Sequence, residues 1–380
     1  MNSVNLTDVV YPWNVTPAIP VETLYVEICD TLVCDVFRVL LIVALFLFSS
    51  IGTITASIFL VVLRLVHTVD GNVRLLLEHV GVAMMLRQIY SLLKSGFYLY
   101  EKAINTRLLR FKAHWCFFVE LFSNIPTTVV IVCFVTLAVE RCYSVRKRRQ
   151  SDTASKWLKV CLGLLWATVT VCTFFTVATA IHPVPIVPLY CNLLTIADFG
   201  LAPTTTTAVN LGLVTEMISV GLTASLRRHC AKTLEHFAIN KTQLNLKGRI
   251  LFKRNIDLFN ALMPSLLTHS VLYILTLSFV LSIEAAEGWT VSTPPWVIHI
   301  VLLFHVADSI HHNLLVYFSL SRVAGFRAKF MQLIGRLSPF YGAPFVPSAA
   351  EEAALRLDRL RFQWKKSFER SSGRPAAKFV

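Results

Sequence analysis

Charged side chains are scarce in this sequence. Only 15% of its 380 residues are Asp, Glu, Lys or Arg, whereas 55% are hydrophobic. The mean hydropathy of +0.62 leaves too little polar surface to coat a soluble globule, and the apolar residues lie in long runs without the alternation of strands. The composition excludes a disordered chain, a collagen-like repeat, a small disulfide scaffold and an ordinary cytosolic enzyme. A multi-span membrane protein remains.

Common catalytic and phosphate-binding motifs are also absent. The sequence has no Gly-rich phosphate loop, no HExxH or GxSxG motif and no pair of catalytic carboxylates. We therefore expect no enzyme activity, no cofactor and no bound metal. The net charge of +14 does not indicate nucleic-acid binding, because Lys and Arg interrupt hydrophobic runs and form no basic face.

Seven mostly apolar stretches are long enough to cross a membrane, since a helical span needs about 20 such residues. They lie at about 39–63, 75–99, 116–139, 157–181, 204–226, 257–283 and 296–320. The second stretch is the weakest, because it carries Glu78, His79, Arg87 and Lys94. The sequence predicts an all-α membrane protein built as a seven-transmembrane helix bundle.

The distribution of Lys and Arg orients this bundle, because short basic loops stay in the cytoplasm. Residues 1–35 contain neither residue type, whereas the loops after the third and fifth spans are rich in both. The amino terminus is therefore predicted outside and the carboxyl terminus inside. The loop at 100–115 disagrees, since it holds Lys102, Arg107 and two further basic residues on the predicted outer side.

This topology divides the chain into four parts. They are an extracellular amino-terminal segment at 1–38, the transmembrane bundle at 39–320, a juxtamembrane amphipathic helix at 321–337 and a cytoplasmic tail at 338–380. The juxtamembrane helix places Phe326, Phe330 and Leu337 on one face, which is typical of a helix lying on a lipid leaflet. A second tail helix from Ser348 to about Arg370 is predicted either to touch lipid or a partner, or to remain solvated.

Four of the nine cysteines lie on the predicted outer side, where they can oxidise. Cys116 opens the third span and Cys191 lies in the second outer loop, so a disulfide between them would pin that loop over the bundle. We favour this pairing. Cys29 and Cys34 are also outside, and four cysteines allow three pairings, so other bridges or free thiols stay open.

Ionisable side chains within spans are costly and often mark a functional interior. Arg87 in the second span and Asp308 in the seventh lie at similar depth near mid-membrane. If adjacent, they either hold two helices together or offer one partner to a ligand. Glu216 and His269 are also near the middle, and Glu120 lies near the outer end of the third span. These five residues are the candidate ligand-binding set.

A second hypothesis comes from the histidines of the seventh span. His305, Asp308 and His312 are spaced i, i+3 and i+7 and so share one helix face. This stripe, with His79 as a fourth ligand, would suit a zinc ion. The alternative function is therefore a seven-transmembrane zinc-dependent hydrolase.

The inner end of the third span carries Glu140 followed by Arg141 and a basic loop. An acid beside an arginine at this border can form an ion pair that restrains the helix until a partner displaces it. Alternatively, Arg141 anchors the helix end in lipid headgroups.

Taken together, these features resemble a G-protein-coupled receptor. The segment Asn313-Leu-Leu-Val-Tyr317 is similar to the rhodopsin-type seventh-span motif, with Leu314 in place of proline. The tryptophan-proline motif of the rhodopsin-type sixth span is missing, and only Pro264 stands in that region.

The chain more closely resembles the nematode serpentine chemoreceptors of the Sre group and their Sra and Srb relatives. Their third span ends in Glu-Arg, as at Glu140-Arg141. Before the sixth span they carry a stretch like Leu-Ser-x-Arg-Phe-Gln-x-x-Glu-Asn, of which this chain keeps Leu246, Arg249 and Asn255 and loses the Gln and Glu.

This resemblance implies a receptor that binds a small environmental molecule in the helix bundle and signals to a heterotrimeric G protein. The implied location is the plasma membrane, including the cilia of sensory neurons. The implied coupling residues are Glu140, Arg141, Arg249 and Asn255. The lipid bilayer is a further partner, and nucleic acid is not.

The topology can be tested directly. Asn5 and Asn14 begin acceptor tripeptides for N-glycosylation in the predicted outer segment, so we expect at least one to carry a glycan. An epitope tag after Val380 should be reached by antibody only in permeabilised cells. Glycosidase-sensitive mobility and antibody labelling are the measurements, and labelling of the tag on intact cells would reverse the orientation.

Overall fold

The computed structural model of the chain consists of helices over the residues that it describes. These residues are 32–66, 69–104, 113–147, 154–180, 203–239, 246–287, 295–337 and 356. The helices are α1 at Leu32–Leu65, α2 at Gly71–Ile104, α3 at Ala113–Lys147, α4 at Lys156–Ala180, α5 at Pro203–Ile239, α6 at Leu246–Glu287, α7 at Pro295–Arg322 and α8 at Ala324–Leu337. Each of the first seven overlaps one of the predicted spans.

Five helices contain segments that are long and apolar enough to cross a membrane. The segments are Val36–Leu65 in α1, Phe122–Arg146 in α3, Lys156–Phe175 in α4, Leu251–Leu275 in α6 and His299–Arg322 in α7. Each is at least 20 residues long, which is about what the hydrocarbon core requires. The chain is therefore an all-α membrane protein with several membrane-spanning helices. Within the described residues, α2 and α5 do not reach the same level of hydropathy.

Six helices pack side by side in a closed ring, in the order α1, α2, α3, α5, α6, α7 and back to α1. Helix α4 lies outside the ring against α3 and α5. Its surface is apolar and exposed, with Trp157, Leu164 and Phe175 among the uncovered side chains. An uncovered apolar face of this kind suits contact with lipid tails.

The main apolar core joins α1, α2, α3, α4, α6 and α7, and α8 closes it at one end. Phe326 of α8 is buried and meets Phe59 of α1 edge to face, with ring centroids 6.2 Å apart. Arg327 and Met331 on the other side of α8 are exposed. Helix α8 at Ala324–Leu337 thus overlaps most of the amphipathic helix predicted at 321–337 and has one buried and one exposed face.

Polar side chains tie α1 to α7 inside the bundle. The Ser49 and Ser309 hydroxyl oxygens lie 3.2 Å apart, and the Thr55 hydroxyl donates to the Asn313 side-chain oxygen at 2.8 Å. The Asn313 amide nitrogen donates to the Phe48 carbonyl at 3.1 Å. Hydrogen bonds between helices matter here, because lipid tails cannot hydrogen-bond to a polar group that lacks a protein partner. Asn313, from the predicted seventh-span motif, therefore serves as a link between two helices.

Two glycines let α1 and α2 approach closely. A Cβ atom on Gly81 of α2 would lie only 2.7 Å from Cδ2 of Leu60 and 3.3 Å from Cδ1 of Phe59. A Cβ atom on Gly52 of α1 would lie 2.6 Å from Cδ of Gln88. Small residues at such contacts are typical of membrane helices, whose association depends on close packing.

This contact generates a stability prediction. Gly81→Leu should force α1 and α2 apart and lower the free energy of unfolding by about 1–3 kcal/mol, as overpacking does in other proteins. The matched control is Gly163→Leu on α4, where nothing lies within 4 Å of the added Cβ. Thermal unfolding of the purified protein in detergent is the measurement. Equal melting temperatures for the two variants would contradict the close contact.

Candidate functional site

Arg87 of α2 occupies the middle of the bundle and contacts two other helices. Its Nε atom lies 2.6 Å from Oδ2 of Asp308 on α7. Its Nη1 atom donates to the Ser123 carbonyl of α3 at 3.0 Å and to the Thr127 hydroxyl. The two charged side chains are only 12% and 17% exposed. A buried arginine is thus neutralised by a carboxylate and held by α3, and α2, α3 and α7 meet at one point.

The backbone of α3 is adapted to this contact. Pro126 lies inside α3 and has no N–H to donate to the preceding turn of the helix. The Ser123 carbonyl accepts from Arg87 and from the Thr127 hydroxyl at 3.0 Å. In a regular α-helix this N–H would donate to the Phe122 carbonyl, so the two donations to Ser123 lie one residue along the helix from the lost bond.

A second charged contact joins α5 to α6. The carboxylate of Glu216 accepts from Nδ1 of His269 through its Oε1 atom. Both residues are buried, and the second oxygen of Glu216 has no hydrogen-bond partner among the described residues. This unpaired carboxylate oxygen of Glu216 can accept a hydrogen bond from a bound molecule.

Two further histidines of α7 surround Asp308. Nδ1 of His312 lies 3.7 Å from Oδ2 of Asp308. Nε2 of His311 lies 2.9 Å from the hydroxyl and 3.0 Å from the carbonyl of Ser265 on α6. The His269 and His311 rings face each other with centroids 4.9 Å apart. The two charged contacts are therefore connected through neighbouring imidazoles.

Four of the five residues predicted to bind ligand thus form one continuous group, which we call the central polar chain: Arg87, Asp308, His269 and Glu216. It crosses the bundle from α2 through α7 and α6 to α5. It offers a cation, two carboxylates and an imidazole, which together can bind a small polar molecule. The side chain of Glu120, the fifth predicted residue, lies outside the described part of the chain.

The histidines predicted to bind zinc are not gathered as expected. His79 accepts a hydrogen bond from the Trp166 indole of α4 at 3.0 Å. Among the described residues, the group with metal-binding geometry consists of His269, Asp308 and His311. His311 and His269 replace His305 and His312 of the predicted stripe. Helix spacing identified Asp308, but only packing against α6 could reveal His269 as its partner.

A second polar group lies near the last turns of α3, around Arg141. Arg141 donates from Nε to Glu140 at 2.5 Å, and its Nη2 atom lies 3.3 Å from Oδ2 of Asp70. Nη2 also donates to the Ser144 hydroxyl at 3.2 Å. The Arg141 side chain is 3% exposed. This cation is therefore enclosed by two carboxylates, and a bare anchor in lipid headgroups does not describe its contacts.

Helices α2 and α6 complete this Arg141 cluster. Asn72 of α2 donates to Glu140 at 3.2 Å, and the Asn255 side-chain oxygen of α6 accepts from Arg141 at 3.5 Å. The Asn255 amide nitrogen is buried without a partner among the described residues. Its contact with Arg141 is at the outer limit of a hydrogen bond, so α6 is only lightly tethered here.

Sequence reasoning identified three members of this cluster and missed two. Glu140, Arg141 and Asn255 were predicted as coupling residues, whereas Asp70 and Asn72 were not. The available signal was an aspartate placed immediately before a helix, where its side chain accepts from the Asn72 backbone at 3.0 Å. That signal predicts a helix cap but not the contact with Arg141.

The remaining predicted residues lie wholly or partly outside the described residues. The side chains of Arg249 on α6 and of Cys116 on α3 are not described. Cys191, Asn5 and Asn14 are also outside the described ranges. The proposed disulfide and both glycosylation sites stay predictions.

The Arg87–Asp308 contact generates a coupling prediction. Removing one partner leaves a buried charge unpaired, so Arg87→Ala or Asp308→Ala should each cost about 3–5 kcal/mol of stability. The double variant should cost clearly less than the sum of the two. Thermal unfolding of all four proteins in the same detergent gives the interaction energy of this double-mutant cycle. Additive losses would show that the two side chains do not depend on each other.

Comparison with known proteins gives no family assignment for this arrangement. No protein-family model matches the chain, and no curated protein matches it significantly.

Proposed function

We propose that this protein is a chemosensory G-protein-coupled receptor, which binds a small molecule at the central polar chain and signals to a heterotrimeric G protein. One observation carries the proposal. On α3, Thr127 contacts Arg87 of the central polar chain, and Arg141 lies 14 positions further along the helix. On α6, His269 belongs to the central polar chain, and Asn255 of the Arg141 cluster also lies 14 positions away. At 1.5 Å per residue the two sites are about 21 Å apart along both helices.

The proposal includes seven spans, with the amino terminus outside and the carboxyl terminus inside. Helices α1, α3 and α6 each contain a segment that can cross a membrane. Helix α2 packs between α1 and α3, and α5 packs between α3 and α6. Helix α2 is less apolar partly because it carries charged residues, but Arg87 among them is paired with Asp308 inside the bundle. Such pairing is how membrane helices accommodate charge. The orientation rests on the basic loops and sequons.

The chemistry of the central polar chain supports binding of a polar small molecule. Glu216 has a buried oxygen without a hydrogen-bond partner, and His311 and His312 each have a buried ring nitrogen without a hydrogen-bond partner among the described residues. Buried polar atoms are costly when unpaired, so a molecule that hydrogen-bonds to them gains affinity. A molecule that contacts His269 and Asp308 touches α6 and α7 together and can favour one arrangement of these helices over another.

The Arg141 cluster supports a restraint at the other end of the same helices. Two carboxylates contact Arg141, and Asn72 donates to one of them, Glu140. Asn255 connects Arg141 weakly to α6. The apolar contacts beside it are made by Val145, Leu226, Cys230, Phe252 and Phe259. A movement of α6 would separate these contacts and expose polar groups of α3. A G protein that binds this exposed surface would stabilise the active arrangement by population shift.

The receptor class can be tested by expressing the chain in cells and measuring second messengers during a screen of volatile and water-soluble compounds. A receptor should respond to at least one compound, and the response should require Arg141. From the resemblance of the sequence to nematode chemoreceptors, we propose that the protein lies in the plasma membrane, including the cilia of sensory neurons. If no compound changed any second messenger in cells that express the chain, support for this class would be lost.

The Arg141 cluster also generates opposite predictions for single variants. Glu140→Gln and Asp70→Asn each remove a carboxylate from Arg141 and should raise basal signalling, by about 5-fold if the lost contact favours the resting state by roughly 1 kcal/mol. Arg141→Ala should reduce stimulated signalling while leaving ligand affinity near that of the wild type, because the central polar chain is about 21 Å away.

Basal and stimulated second messenger, normalised to surface receptor, is the measurement for these variants. The matched control is Arg64→Ala, which removes an exposed arginine near the end of α1. Its output per receptor should equal that of the wild type. Equal output from the wild type, Glu140→Gln, Asp70→Asn and Arg141→Ala would exclude the cluster from signalling.

A further inference from the structure

Three side chains capable of binding a metal ion meet between α6 and α7. They are His269 of α6 and, on adjacent positions around α7, Asp308 and His311. One potential ligand atom from each lies within 4.8 Å of the others. Two imidazoles with one carboxylate form a donor set that favours zinc and neighbouring transition metals over Mg²⁺ or Ca²⁺.

The hydrogen bond of His311 determines which of its nitrogens is available. Its Nε2 atom lies 3.0 Å from the Ser265 carbonyl, and a carbonyl oxygen can only accept. The hydrogen is therefore on Nε2, and Nδ1 of the neutral ring carries a lone pair. His311 is 1% exposed, and its Nδ1 has no hydrogen-bond partner among the described residues. A buried, unpaired imidazole nitrogen is the atom that a metal would use.

His269 is oriented in a comparable way from the other helix. Its Nδ1 atom contacts the Glu216 carboxylate, which accepts the hydrogen and leaves Nε2 as the ligand atom of the neutral ring. Metal-binding histidines commonly donate their second N–H to a carboxylate or a backbone carbonyl, which fixes the ring and increases its basicity. Glu216 supplies the carboxylate for His269, and Ser265 supplies the carbonyl for His311.

Asp308 can serve the ion and Arg87 together. Its Oδ2 atom receives Nε of Arg87 at 2.6 Å. An ionised carboxylate has two oxygens and about four lone-pair positions, so one hydrogen bond does not exhaust it. Arg87 also donates to Ser123 and Thr127, which hold the guanidinium in place.

We propose that His269, Asp308 and His311 bind a divalent transition-metal ion of the zinc class, which ties α6 to α7. Zinc bonds of about 2.0–2.2 Å in tetrahedral geometry place ligand atoms roughly 3.4 Å apart. The ligand atoms of this group lie within 4.8 Å of one another, so they need to approach by at most about 1.4 Å. Three protein ligands leave the fourth position for water. The proposal differs from the sequence-based expectation of no metal. The ion would occupy part of the central polar chain, but the proposal does not rest on the receptor function, because zinc binding is measured on the isolated protein.

The experiment uses the full-length protein purified in detergent without a histidine tag, treated with chelator and then dialysed. Zn²⁺ titration should give one bound ion per chain by elemental analysis and should raise the melting temperature, because the ion binds the folded state. Mg²⁺ at the same concentrations should leave it unchanged. Wild-type protein that binds no stoichiometric zinc would overturn the proposal.

Variants then test the ligand set. His269→Gln and His311→Gln should lose stoichiometric zinc, and Glu216→Gln should weaken it by about 10- to 100-fold as loss of a supporting hydrogen bond does. The matched control is His305→Ala, a histidine two turns from His312 on the same helix and outside the group. It should bind zinc as the wild type does. Unchanged binding in both Gln variants, or loss of zinc in the control, would overturn the assignment.

A cysteine substitution covers the case in which a Gln variant does not fold. His311→Cys keeps a ligand atom at this position and replaces nitrogen with a softer sulfur, so it should still bind zinc and should gain affinity for Cd²⁺ relative to Zn²⁺. An unchanged ratio of cadmium to zinc affinity, or complete loss of binding in folded His311→Cys, would show that position 311 does not bind the ion.

Discussion

The pairing of Arg87 with Asp308 inside an apolar bundle is the interaction on which the arrangement of the helices depends. Arg87 is carried by a helix that is less apolar than its neighbours, and an unpaired guanidinium there would oppose burial. The 2.6 Å contact with Asp308 and the donations to α3 compensate this cost. Helix α2 can then lie between α1 and α3 and close the ring, and Gly81 and Gly52 bring its backbone close to α1.

A second buried arginine near the end of α3 is also paired with carboxylates. Arg141 is 3% exposed and is enclosed by Asp70 and Glu140. Between the two charged groups, α3 presents apolar side chains such as Val130 and Leu137 to the core. Two polar groups joined by well-packed helices are suited to coupling, because close-packed elements transmit small displacements instead of absorbing them. The proposed receptor function uses this connection between a ligand site and a partner surface.

The central histidines show why polar groups inside a membrane protein carry functional information. Lipid cannot hydrogen-bond to an imidazole, so each ring nitrogen either finds a protein partner or remains available. Ser265 and Glu216 satisfy one nitrogen of His311 and one of His269. Nδ1 of His311 has no hydrogen-bond partner among the described residues, and His311 forms a group with metal-binding geometry together with Asp308 and His269. The proposed ion and the proposed small molecule would therefore both bind inside the bundle, between α6 and α7.

The sequence by itself determined the positions of the helices, the membrane class, the amphipathic α8 and the residues most costly to bury. These follow from local hydrophobicity and from charges such as Arg87 and Asp308 that interrupt it. Only the tertiary structure decided which costly groups meet: Asp70 beside Arg141, and His311 in place of His305 beside Asp308. These contacts depend on the rotation and neighbours of each helix. Helices with apolar residues on every side carry little periodic signal to fix that rotation, so it is decided by packing.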